Sequence, residues 1–143
     1  MEIHYVLYVS KLVRPFGYEE LNSLLYTSQR NNAQNGLAGF LQIEAGIVLQ
    51  YLEGAPETLL ATIQRIRADP RHGDFLVLAS DSIAGRFFDG WQMALVESTT
   101  LSLFDLLGIE VTDVSQVTQV NPTDLISLLS ANASFLRDRA SVA

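Results

Sequence analysis

Leu37-Ala38-Gly39-Phe40-Leu41-Gln42-Ile43-Glu44-Ala45-Gly46-Ile47-Val48-Leu49-Gln50-Tyr51-Leu52-Glu53-Gly54 is the stretch that decides the fold. Residues 37 to 44 and 47 to 53 are two largely apolar runs around the short turn Glu44-Ala45-Gly46, where glycine is available for a positive φ. That pattern reads as a β-hairpin. Gly54 closes the second strand. Gln50 stands out within it, because a buried side-chain amide costs free energy unless its donors and acceptor are paired. Exposure at a sheet edge or a local hydrogen bond accounts for such a residue as well as a ligand does.

Working outward, residues 3 to 10, which include His4-Tyr5-Val6-Leu7-Tyr8-Val9-Ser10, alternate in character and read as a buried strand. A tyrosine there, such as Tyr8, is ordinarily just a β-former. A turn follows around Arg14-Pro15-Phe16-Gly17. The spacing predicts a helix over 18–33, with Leu21, Leu24, Leu25 and Ser28 on one side, ended by Gly36 and Gly39. Beyond the hairpin, Pro56 suits the first position of a helix to about Ala68, apolar at Leu59, Leu60, Ile63 and Ile66. Asp69-Pro70-Arg71-His72 terminates it. Residues 75–80 and 92–97 are the last two strands. The order β-α-β-β-α-β-β predicts an α+β, ferredoxin-like sandwich with both helices on one face of the sheet. The strands at 3–10 and 47–53 are then neighbours in its middle.

The chain has 143 residues, nearly half of them apolar, with seven Phe and five Tyr, enough to bury a core. Its formal net charge of −7, a single lysine and the absence of any basic run argue against nucleic-acid binding. No cysteine is present, which excludes disulfides, thiolate catalysis and thiol-anchored cofactors. No apolar run approaches membrane-spanning length, and no signal peptide is expected at an N-terminus that opens directly in a strand pattern. The cytoplasm is the expected compartment. Residues 98–143 are richer in Ser, Thr, Asn and Asp. They predict a C-terminal helical extension to a domain at 1–97: a short helix near Leu101 to Leu107, then one from Pro122 to about Arg137. Asn121 caps the second helix, whose apolar stripe is Leu125, Leu128, Leu129, Phe135 and Leu136.

Three further groups of residues attract notice. Asn31-Asn32 fall near the end of the first helix, where asparagine is common for reasons of backbone conformation alone. Arg65, Asp69, Arg71 and His72 gather where the second helix ends, an arrangement that a solvated, charge-balanced terminus also explains. Trp91-Gln92-Met93 enters the last strand. Taken together, the order and spacing of Tyr8, Asn31-Asn32, Gln50 and Trp91-x-Met93 over residues 3–97 resemble the BLUF family of blue-light receptors. Those proteins bind a flavin noncovalently.

The resemblance implies roles for particular residues. Tyr8 matches the photochemical electron and proton donor, and Gln50 the amide that bridges the tyrosine to the flavin ring. Asn32 and Asn31 match ring-binding positions, and Ser28, one turn earlier, falls at the pocket wall. Arg65, Asp69, Arg71 and His72 match the rim beside the ribityl chain and phosphate, with the two arginines as phosphate contacts. Trp91 and Met93 match a strand that exchanges one for the other near the glutamine. Ala38 and Val48 depart from the commoner residues of the family and shrink side chains expected near the pocket wall.

The function that follows from the resemblance is a stand-alone blue-light photoreceptor, not an enzyme. It carries FAD, with FMN or riboflavin as possible substitutes, and no metal. Output is expected through contacts with a downstream signalling protein and within a homo-oligomer, with no nucleic-acid or membrane partner. Two rivals remain at this point: a light-insensitive flavin-binding interaction module, and a small acyl-phosphate hydrolase on the same sandwich.

Overall fold

The computed structural model describes residues 2–88, 94–97 and 103–131. In chain order the elements are β1 (Ile3–Leu12), α1 (Tyr18–Asn35), β2 (Ala38–Glu44), β3 (Ile47–Gly54), α2 (Pro56–Arg67), β4 (His72–Ile83), β5 (Ala94–Glu97), α3 (Leu103–Leu107) and α4 (Val114–Val117). A further helix, α5, occupies residues 122–131. The strands form one sheet of order β4-β1-β3-β2-β5. Each βαβ unit is split: β3 lies between β1 and β2, and β1 between β3 and β4. This interleaving puts β1 and β3 at the centre, antiparallel, as the ferredoxin-like reading expects. β5 extends the sheet by pairing in parallel with β2.

The hairpin turn uses two positive-φ residues, Ala45 at 53° and Gly46 at 77°. That geometry suits a tight two-residue connection. At the other end of β2, a Cβ on Gly39 would overlap the backbone carbonyl of Tyr51, so glycine lets the two strands close. Gly39 is thus a strand residue, and Gly36 alone, in the left-handed region, ends α1.

The two faces of the sheet are filled differently. α1 and α2 cover one, where Val6, Tyr8, Leu37, Leu41, Val48, Leu52, Leu59 and Ile63 cluster. α3, α4 and α5 cover the other with Phe104, Val114, Val117, Leu125 and Leu129 against Leu7, Val9, Phe40, Ile47, Leu49 and Tyr51. Leu125 and Leu129 are completely buried, each contributing about 1.5–3 kcal/mol. The expected C-terminal helix therefore docks on its own chain. Asn121 caps it, its Oδ1 accepting from the Thr123 N–H at 2.8 Å. Its expected continuation to Arg137, with Phe135 and Leu136, lies outside the described residues.

Some expectations need correction. Leu60, assigned to the apolar side of α2, is exposed, because the buried side of that helix runs through Leu59, Thr62 and Ile63. β4 is longer than 75–80, since an edge strand can extend along β1 with little burial. α4 was not foreseen at all, although a capping box announces it. The Asp113 side chain accepts from the backbone of the first turn and the Gln116 side chain answers it.

Candidate functional site

Tyr8 on β1 stands directly opposite Gln50 on β3. Both point to the face covered by α1 and α2, because side chains alternate along a strand. The Tyr8 hydroxyl donates to Gln50 Oε1, and both residues are almost fully buried. With its oxygen turned to the phenol, the amide carries its N–H donors at the other end. Burial above all, and the negative charge of Asp69 second, push the Tyr8 phenol well above its ordinary value. It is therefore a neutral O–H donor at physiological pH. β4 slips beside it: Leu7 pairs with Ala79 but Tyr8 with Val77, leaving Leu78 as the extra residue of a bulge. The Tyr8 ring stacks on Phe75 with centroids 4.6 Å apart, and the Arg67 guanidinium lies 4.8 Å from the Phe75 ring centroid.

Asn32 is the one fully buried residue of α1. Its carbonyl accepts from the N–H groups of Gly36 and Leu37, which locks the backbone from which its amide projects. Ser28 and Asn31 lie half-buried on the same side. Between α1, α2 and the sheet opens a cavity of about 220 Å³. One water needs about 10–15 Å³ on such a scale, so this is no packing defect. Its walls include Leu24, Leu41, Ile43, Val48, Leu52 and Ile66, and its polar edge includes Tyr8, Gln50 and Asn32.

The rim is built where α2 ends. Asp69 holds Arg71 through Nε at 3.0 Å and a terminal nitrogen at 2.5 Å, and also accepts from the Arg71 backbone N–H. The hydrogen bond from Arg71 is the main reason the Asp69 carboxyl sits below the usual carboxylate range. Arg65 donates to Thr62 Oγ1 at 3.3 Å and forms no ion pair among the described residues, so its charge remains to be offered. His72 bridges Ser10 Oγ at 2.7 Å and the Ile66 carbonyl at 2.5 Å. A carbonyl only accepts, so Nε2 carries the proton and the second nitrogen meets the Ser10 hydroxyl.

All of Ser28, Asn31, Asn32, Gln50, Arg65, Asp69, Arg71 and His72 line this one cavity, together with Tyr8. Trp91 and Met93 lie outside the described residues. Val48 lines the wall as expected. Ala38 does not: two residues before Phe40, it shares that residue's face of β2, away from the cavity. The sequence reading missed Phe16, Thr27 and Thr62. Thr62, one turn before Arg65 on α2, could have been found from helical spacing. Phe16 sits in a turn and gave no periodic signal.

An apolar slot with buried amides at its inner edge and a guanidinium at its mouth fits a flat heteroaromatic ring bearing a phosphorylated chain. An amide both donates and accepts, and a guanidinium can make charge-assisted hydrogen bonds to an anion. The comparisons agree with that fit. The family model "Sensors of blue-light using FAD" matches residues 3–94. A photoactivated adenylate cyclase subunit beta-like protein of Euglena gracilis is 31% identical over 98 residues, 68% of this chain. The chain spans only 11% of that relative's length. Among solved structures, the dark state of BlrB, a BLUF protein, superposes with a TM-score of 0.76 at 23% identity, covering 93% of this chain and 96% of that one. The BlsA ground state has a TM-score of 0.76 at 22% identity, covering 92% and 87%. At those identities the structures speak for the fold, and the family match carries the function: the chain belongs to the BLUF family of flavin-binding blue-light sensors.

Proposed function

We propose that Tyr8 and Gln50 are the photochemical pair of this receptor and that Asn32, Asn31 and Ser28 hold the ring of its flavin. Arg65 takes the phosphate, while Asp69, Arg71 and His72 shape the rim. The observation that carries this reading is the buried hydrogen bond from the Tyr8 hydroxyl to Gln50 Oε1, opening on the cavity. A bound FAD (or FMN) would supply a blue-light-absorbing acceptor for one electron and one proton. Tyr8 would give up both, its hydroxyl proton leaving along the bond to Gln50 Oε1. The Gln50 amide, no longer accepting from that hydroxyl, would then turn or tautomerise and change the hydrogen bond it offers into the cavity. Because a strand paired on both sides moves little, a rotating amide is the economical switch.

Residues 1–97 act in this reading as the photosensor and 98–143 as an output extension, with Trp91 and Met93 leading into β5. The signal leaves by contact with a downstream protein or a second copy of the chain, and the protein itself is not an enzyme. The hydrolase alternative would use the loop after β1 to cradle an acyl phosphate. Arg14, the cation of that loop, instead gives two guanidinium nitrogens to Glu20 at 2.7 and 2.9 Å.

Absorption spectra of the purified protein before and after blue light test the proposal. The protein should be yellow, release intact flavin on acid treatment, and shift reversibly to the red. Tyr8→Phe and Gln50→Leu should keep the flavin and abolish the shift. Gln50→Leu also leaves the Tyr8 hydroxyl without its acceptor, at about 1–3 kcal/mol. A normal reversible shift in either variant would sink the assignment.

A further inference from the structure

Two glutamates on the sheet face away from the cavity have no part in flavin binding, yet both are buried. Glu53 is completely enclosed. Its Oε1 accepts from the Tyr51 hydroxyl at 3.0 Å and the Phe87 N–H at 3.2 Å, and its Oε2 from the Phe88 N–H at 3.0 Å. Glu44 accepts from Gln42 Nε2 at 2.8 Å and, through its other oxygen, from the Phe104 N–H at 3.4 Å. A buried carboxylate is costly unless its oxygens are occupied, and here the occupants are chiefly backbone donors. Phe87 and Phe88 precede β5 in the chain and Phe104 follows it.

The chain on both sides of β5 is therefore tied to the β2–β3 hairpin, by charge-assisted bonds to backbone N–H groups. β5 itself pairs with β2, the strand that carries Glu44. β3, which carries Glu53, carries Gln50 three residues earlier on its other face. Phe88 packs edge-on against Phe40 and Tyr51, which holds the same attachment from the apolar side.

We propose that Glu53, seconded by Glu44, is a positioning residue for signal output. Its carboxylate holds Phe87 and Phe88, ahead of β5, against the hairpin, and the change at Gln50 is read out as a change in that attachment. The inference rests on β5 and the C-terminal helices being the output path. The two ties are unequal. Both Glu53 bonds to the chain fall within the usual range for N–H donors, whereas the bond to Phe104 is long. Next to that long bond, Gln42 Oε1 is buried with no partner among the described residues.

Amide hydrogen exchange on the flavin-loaded protein, in the dark and under blue light, tests this with Glu53→Gln. That variant keeps the side-chain volume and loses one acceptor oxygen. Flavin affinity and the red shift should match the parent, because Tyr8, Gln50 and Asn32 lie across the sheet. Dark exchange at Phe87 and Phe88 should rise about tenfold relative to β1, the effect of one lost hydrogen bond. The light–dark difference over residues 94–107 should fall by more than about half if that tie transmits the change. A yellow, red-shifting Glu53→Gln protein with the parental light–dark difference there overturns the proposal. So does a parent that red-shifts with no light–dark difference over 94–107. A parent that never red-shifts overturns the photochemical reading instead. Should Glu53→Gln fail to fold, Tyr51→Phe removes one donor from the same carboxylate, and an unaltered light–dark difference in it is equally decisive against the proposal.

Discussion

On one side of the sheet, Leu125, Leu129, Val117 and Phe104 close over Leu7, Leu49, Phe40 and Tyr51. On the other, α1 fully buries a single residue, and that residue is Asn32. One face spends its apolar surface on the chain itself. The other leaves Leu24, Ile43, Val48 and Ile66 to line a cavity, the place proposed above for the flavin. A ligand that binds only the folded state adds its own stabilisation, so the loosely covered face gains most from being loaded. The face that binds need not be the face that stabilises.

The contrast is tested most severely by making one truncation on each side. Leu129→Ala should lower the unfolding free energy by about 2–5 kcal/mol, whether flavin is bound or absent. Leu24→Ala, at a half-buried position in the cavity wall, should cost the flavin-free protein under about 1 kcal/mol and show instead as weaker flavin affinity. Urea unfolding of both variants, with and without flavin, measures this. Equal losses in the flavin-free proteins would erase the distinction between the faces.

A smaller effect sharpens it. Asp113→Ala removes the side-chain acceptor that starts α4 and should cost about 1 kcal/mol, with the red shift unchanged because α4 packs on the far face. A lost or altered red shift in that variant would mean the faces are more tightly coupled than their separate cores suggest.

The smallest effect belongs to the cavity rim. Arg71 holds the Asp69 carboxyl below its ordinary value, so the pair contributes stability above the unfolded value, about pH 3.9. That contribution fades as the pH falls through the lower folded value. Asp69→Asn should flatten this part of the acid limb of the stability curve, by less than about 1 kcal/mol because the pair is partly exposed. A stability curve that keeps its full acid limb in the variant would assign the acid sensitivity elsewhere.

Much of this was legible in advance for identifiable reasons. The hairpin announced itself through Ala45-Gly46, and α1 ended where Gly36 permits a left-handed residue. The positions at the cavity came from a family pattern, since Asn32 at a helix end and Gln50 in a strand each have ordinary explanations alone. Other features were hidden. Ala38 was placed near the cavity from the family pattern, and strand alternation puts it on the other face with Phe40. Leu60 looked like core because helical spacing does not say which flank of an apolar stripe the sheet will cover. Glu53 read as the end of a strand, and its burial under Phe87 and Phe88 had no local signal.

The sequence by itself determined the order of the elements through β5, the hairpin, the end of α1 at Gly36 and the alternation that groups Val48, Gln50 and Leu52 on one face. These depend on backbone preferences and side-chain periods that act within a few residues. Only the tertiary structure decided that Tyr8 meets Gln50, 42 residues away, and that the C-terminal helices close the opposite face. It also decided that two buried glutamates tie down the chain around β5. Those outcomes are set by strand register and by the need to pair every buried polar group, and both are settled only when distant segments compete for the same surface.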